Sequence, residues 1–285
     1  MSTGAADFVL TITTDDRRGL VAAVANSIAS QDCNIAESAQ YWDTETNRFF
    51  MRVAFMAPEN MTMERFSRGF DPVATAYQLA WQIHDLNRKP RVLIMVSRMG
   101  HCLNDLLYRH SIGNLEMNLV GVASNHENWR SRVEHEGVPF HHIPTSSESK
   151  DEQEEKLLLL MEEEKIELVI LARYMQVLSD DLSAKLFGKV INIHHSFLPS
   201  FMGTKPYQRA HSRGVKLIGA TAHYVTPDLD DGPIIEQDVG RVEHSMTADE
   251  FIAIGREIES SVLARAVKYH IERRILLNGD KTVIF

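Results

Sequence analysis

Four near-continuous apolar runs dominate the sequence: "RVLIMVS" (91–97), "MNLVGVASN" (117–125), "IELVILA" (166–172) and "KVINIHH" (189–195). A strand with one wet face alternates apolar and polar residues. A run that is apolar at almost every position needs cover on both faces, which is the condition of a central parallel strand. Helical patterns lie between the runs: "LNDLLYRH" (103–110), "NWRSRVEHEGVPF" (128–140, closing at Gly137) and the acidic, amphipathic "DEQEEKLLLLMEEEK" (151–165). This alternation predicts an open, mostly parallel α/β sheet. "LIGATAHYV" (217–225) and "GPIIEQDVGRV" (232–242) add two strands around a polar loop, and a long helix is expected from Thr247 through Arg274.

The first 86 residues follow a different rhythm. "FVLTI" (8–12) reads as a strand. A helix follows, with Leu20, Val24 and Ile28 at four-residue spacing. "CNIAESAQYW" (33–42) and "RFFMRVAFM" (48–56) flank the turn-rich "DTETN" and predict a hairpin. "MTMERFSRGFDPVATAY" (61–77) predicts a second helix, kinked or stopped near Pro72, and "QLAWQIHDL" (78–86) a last strand. The order β-α-β-β-α-β is the ferredoxin-like pattern. Three segments are therefore expected: 1–86 as a small regulatory or oligomerisation domain, "NRKP" (87–90) as a linker, and 91–285 as a catalytic domain.

With 44% hydrophobic and 24% charged residues, the chain can build a core without cross-links. A net charge of −9 argues against a nucleic-acid partner, because phosphate binding wants a basic face. No apolar stretch approaches the ~18 residues of a membrane span. The N-terminus has no basic, apolar signal-peptide pattern. Cys33 and Cys102 have no CxxC spacing. Reduced thiols and a cytoplasmic location are the simplest expectation.

In open α/β sheets, ligands bind beyond the carboxyl ends of the strands. The fourth apolar run ends there in Asn192, His194 and His195. Side chains alternate along a strand, so Asn192 and His194 share a face and His195 points to the other, where it either borders the site or packs that face of the strand. An amide and an imidazole side by side can stabilise an oxyanion and move a proton. The loop "HYVTPDLDDGPII" offers Asp228, Asp230 and Asp231 as a third partner. The same residues have an ordinary structural reading, as a polar strand end and turn aspartates. His194, His195, His223 and Asp230 are all types that ligate metals. Because adjacent strand side chains point apart and no HExxH or Cys/His spacing is present, no metal site is expected.

Residues 190–237 resemble the folate-dependent formyltransferases: Asn192-x-His194, a Ser-Phe-Leu-Pro stretch, His223, and Asp230 seven residues on, just before Gly232. "LARYMQVLS" (171–179) is similar to that family's folate-cradling loop. In place of a Gly-Ser-Asn phosphate loop stands "SRMGHCLNDLL" (97–107), which, with the tail "NGDKTVIF", resembles the deformylase branch. The N-terminal unit, with Asp16-Arg-Arg-Gly19-Leu-Val, resembles an ACT domain, although Asp32 stands where ACT domains often have Gly. The resemblance implies a Rossmann-like formyltransferase domain behind an ACT domain. It implies hydrolysis of 10-formyltetrahydrofolate to formate and tetrahydrofolate, supplying formate for purine synthesis and balancing one-carbon pools. Formyl transfer to an amine acceptor such as an amino sugar is the alternative. Asn192, His194 and Asp230 would be catalytic, with Asp230 tuned toward neutral pH by partial burial. Met175, Gln176, Val177, Leu178, Asp228 and Gly232 would bind substrate. Asp16, Gly19 and Asn34 would receive an amino-acid effector, glycine or methionine, at a dimer seam of a homo-oligomer. No tightly bound cofactor is implied.

Overall fold

A computed structural model describes residues 6–145, 150–198 and 206–285. They divide into two compact units: residues 1–89 with 272–285, and residues 90–271.

In the first unit β1 (Phe8–Asp15), α1 (Leu20–Ala29), β2 (Asn34–Asp43), β3 (Arg48–Met56), α2 (Met63–Tyr77) and β4 (Ala80–Asp85) form the ferredoxin-like order. The sheet runs β2-β3-β1-β4 and is antiparallel throughout. Its helix-covered face buries Leu10, Ile12, Phe55, Phe66 and Phe70, with the Phe55 and Phe66 rings 4.9 Å apart. Thr62 caps α2 by accepting from the Arg65 amide at 3.2 Å. The helix continues unbroken through Pro72 to Tyr77, because Phe66, Phe70 and Ala74 at helical spacing anchor it on both sides of the proline. This is the ACT-like arrangement.

The C-terminal tail corrects the expected 91–285 boundary and the expected end of the last helix. β12 (Ile275–Asn278) and β13 (Lys281–Ile284) pair as a hairpin and belong to the first unit. Arg52, 6% exposed, donates to the carbonyls of Glu272 and Arg273, and Asn278 Nδ2 donates to Asp43 at 2.8 Å. The sequence carried the cue: Asn278-Gly279 between two short alternating segments is a hairpin signal, and Gly279 has φ +60°.

The second unit holds β5 (Arg91–Val96), α3 (His101–Ser111), β6 (Asn118–Ser124), α4 (Arg130–His135), β7 (Phe140–His142), α5 (Lys150–Glu163), β8 (Leu168–Leu171), α6 (Asp180–Lys185), β9 (Val190–His194), α7 (Pro206–Arg213), β10 (Leu217–Tyr224), β11 (Ile234–Arg241) and α8 (Ala248–Ile271). The seven-stranded sheet runs β11-β10-β9-β8-β5-β6-β7. It is parallel from β9 to β7 and antiparallel at β10 and β11. β5, β8 and β9 are almost wholly buried, as their continuous apolar runs require. The chain builds outward from β5 to β7, then returns to β8 on β5's other side. This places the topological switch between β5 and β8, where the polar loops after both strands open a crevice. Among the described residues, no helix is long and apolar enough to cross a membrane.

Candidate active site

The carboxyl ends of β8 and β9 and the loop after β10 enclose a cleft of about 430 Å³. Its floor carries Asn192, His194 and Asp230 together. β9 ends at His194, so Asn192 and His194 leave the sheet on one face. The β9–β10 register then sets His223 directly opposite Asn192. Asn192 Nδ2 donates to His223 Nε2 at 3.3 Å. His223 Nδ1–H donates to the Tyr224 carbonyl at 2.9 Å, which leaves Nε2 as the acceptor. Burial pushes His223 below its usual pKa, so the ring is neutral and suits that role. His223 thereby aims the Asn192 amide. Its place was hidden in the sequence because strand register is not written there.

Asp230 reaches the site from a turn in which its own φ is +58°, a left-handed conformation that Asp tolerates better than most residues. Its Oδ2 accepts from His194 Nδ1 at 3.1 Å, and its Oδ1 lies 3.8 Å from His223 Nε2. Burial pushes this carboxyl up, but the hydrogen bond and positive potential of His194 more than offset it. The net effect holds Asp230 below its usual range. This corrects the expected tuning toward neutral pH: the group is a carboxylate throughout the physiological range. His194 is 6% exposed, and its Nε2 has no hydrogen-bond partner among the described residues.

Met175, Gln176, Val177, Leu178 and Asp228 line the same cleft. The loop that carries the first four is pinned from behind: Ser97 Oγ accepts from the Met175 amide at 3.0 Å and donates to Asn125 at 2.8 Å. Gly232 follows the cleft-lining Asp228 and Asp230 and is not itself among the residues that line the cleft. A Cβ on it would lie 1.7 Å from the Tyr224 carbonyl oxygen, so its role is to let the aspartate loop pass against β10. Gly232→Ala should cost about 3 kcal/mol of stability by overpacking and displace Asp230; urea unfolding with a turnover assay checks both.

His195 lies one residue beyond β9, where strand alternation has ended; it borders the same cleft as His194 and also lines a second pocket with Tyr207 and Ala210. Tyr207 is buried and donates to Glu259 at 2.7 Å. Lys205 and the stretch from Pro199 lie outside the described residues. His101, Cys102 and Glu259 form a possible metal-ligating trio, but Arg173 stands 3.3 Å from the Glu259 carboxylate and supplies its counter-charge.

In the first unit, Asp16 donates its amide to the Asn47 carbonyl, and Gly19 precedes α1 with φ +88°. Asn34 pairs with Met56, whereas Asp15 pairs with Arg48. Those partners are eight residues apart on β3, about 27 Å at the rise of an antiparallel strand. One chain therefore does not bring Asp16, Gly19 and Asn34 into one site.

Residues 90–267 match the family described as Formyl transferase, and that is the class which this sheet and cleft define. A formyltetrahydrofolate deformylase from Corynebacterium sp. (strain P-1) is 47% identical over 279 residues, 97% of each chain. One from Bacillus subtilis (strain 168) is 44% identical over 278 residues, 97% of this chain and 93% of the relative. The crystal structure of a formyltetrahydrofolate deformylase from Burkholderia mallei ATCC 23344 superposes with a TM-score of 0.93 at 49% identity, covering 99% of this chain and 100% of that one. The chain belongs to the formyltetrahydrofolate deformylase family.

Proposed function

We propose that the protein hydrolyses 10-formyltetrahydrofolate to formate and tetrahydrofolate, with Asn192, His194 and Asp230 as the catalytic groups. The observation that carries these roles is the convergence of the three side chains on one cleft floor, with Asp230 bonded to His194 at 3.1 Å. The relatives' shared name over nearly the whole chain supports water, rather than an amine, as acceptor.

A water oxygen adds to the formyl carbon and one of its protons passes to Asp230. The carbonyl oxygen becomes an oxyanion that accepts hydrogen bonds from the second Nδ2–H of Asn192 and from His194. A preorganised donor of this kind lowers the barrier by about 3 kcal/mol. The carbon–N10 bond then breaks, N10 takes up the proton from Asp230, and formic acid leaves as formate with loss of a proton to solvent. Because Asp230 is acidic in this site, it holds a proton poorly. Its main work is to orient the water and to stabilise a positive His194.

The 175–178 loop would grip the pterin largely through backbone groups, with Asp228 at the rim. No tightly bound cofactor takes part in this scheme. In the first unit, an amino-acid effector would need a second chain to join the Asp16–Gly19 end to the Asn34 end. This favours a homo-oligomer. The two buried, unpaired cysteines suit a reducing cytoplasm. The test is incubation of the purified protein with 10-formyltetrahydrofolate alone. Formate should appear stoichiometrically with tetrahydrofolate; release that requires an added amine would overturn the hydrolase reading.

A further inference from the structure

The scheme above leaves one part of the cleft unused. Asp230 spends one oxygen on His194, and the other faces His223 Nε2, which Asn192 already occupies. A water held by Asp230 alone is fixed at one hydrogen and free to swing. Attack needs its lone pair aimed at the formyl carbon, which takes a second fixed partner.

His195 is the group placed to be that partner. Its ring lies 5.0 Å from the His194 ring at 82° and lines the same cleft. Its Nδ1 is buried without a hydrogen-bond partner among the described residues, so the ring would meet a water in the cleft through its other nitrogen, Nε2. Burial, then the Arg173 and His194 charges, outweigh the opposite pull of Glu259 and Asp230 and lower its pKa to about 4, so the ring stays neutral and keeps a nitrogen that can accept.

Behind His195 stands a buried ionic cluster that the chemistry above does not call on. Glu259 is 1% exposed. It binds His101 at 2.8 Å and Tyr207 at 2.7 Å, with Arg173 Nε at 3.3 Å. Arg173 is itself buried, has φ +61° and lines the cleft beside His195. The Tyr207 ring packs at 6.5 Å and 77° to the His195 ring. Burying two charges and holding a non-glycine residue in a left-handed conformation both cost free energy, and such expense is concentrated at functional sites.

We propose that His195 is a second anchor for the attacking water, accepting one hydrogen while Asp230 accepts the other, and that Arg173, Glu259 and Tyr207 are positioning residues that fix its ring. This inference rests on the hydrolase reading and adds a catalytic residue to it.

The test compares wild type, His195→Phe and His195→Gln with 10-formyltetrahydrofolate, with and without hydroxylamine. That amine attacks the formyl carbon through its own nitrogen and yields N-formylhydroxylamine and tetrahydrofolate. His195→Phe keeps the ring volume and removes the acceptor. Its kcat for formate should fall about 10²-fold, as for loss of a positioned proton-handling group, with little change in KM. The ratio of N-formylhydroxylamine to formate should rise at least about tenfold, because only water has lost its anchor. His195→Gln, which restores an acceptor, should recover about tenfold of the lost rate. Should the Phe variant not fold, His195→Ala carries the same product-ratio test. A kcat within about threefold of wild type, well short of the loss a proton-handling group gives, or an equal fall of both products, would overturn the assignment. Wild-type protein that releases no formate would instead refute the hydrolase reading itself.

Discussion

Asp230→Asn should lower kcat by about 10³-fold while leaving KM and the fold nearly intact. Asparagine is the informative replacement because it has the same shape and accepts the φ of +58° that the loop imposes, whereas alanine would add backbone strain. The amide keeps an oxygen for His194 Nδ1, so the loss isolates the charge. Without it, a positive His194 has no counter-ion and the water no anionic acceptor. Steady-state formate release checks the rate, and a variant within tenfold of wild type would remove Asp230 from the chemistry. The pH dependence of stability supplies a second readout. The Asp230 carboxyl is held below its unfolded value, so the stability it contributes is present above that value and lost as pH falls through the folded one. The stability gap between wild type and Asp230→Asn should therefore close below about pH 4.

Glu259→Ala should cost about 3–5 kcal/mol of stability, because it breaks a buried ion pair. The carboxylate is 1% exposed and draws on Arg173, His101 and Tyr207 together. Burial alone pushes its pKa up, yet the His101 hydrogen bond and the Arg173 charge bring it below the usual range, so it is buried as an anion. Removing it strands the Arg173 guanidinium in the interior with no counter-charge. The double replacement Glu259→Leu with Arg173→Met removes both charges and should be less destabilising than Glu259→Ala, because no buried ion is left unpaired. Urea unfolding of the three proteins checks the order. A double variant less stable than Glu259→Ala would show that packing, rather than charge pairing, governs this site.

Legibility in the sequence followed burial and local periodicity. β5, β6, β8 and β9 announce themselves because a strand covered on both faces can hold little but apolar residues. The β-α-β-β-α-β order of the first unit is readable for the same local reasons. β7 was not, because three residues, Phe140-His141-His142, are too short to show a period. The sequence pattern extends the last helix to Arg274 because nothing local except Asn278-Gly279 separates the end of α8 from the start of the hairpin.

The sequence by itself determined the strand-and-helix alternation, the shared face of Asn192 and His194, and the carboxylate loop seven residues after His223, because each rests on spacing along one stretch of chain. Only the tertiary structure decided that His223 aims Asn192 across a strand pair, that Asp230 is held acidic, that His195 joins the cleft, and that Arg173 and Glu259 meet behind it. Those facts depend on register, desolvation and approach between segments up to 86 residues apart, and no local pattern encodes a distance of that kind.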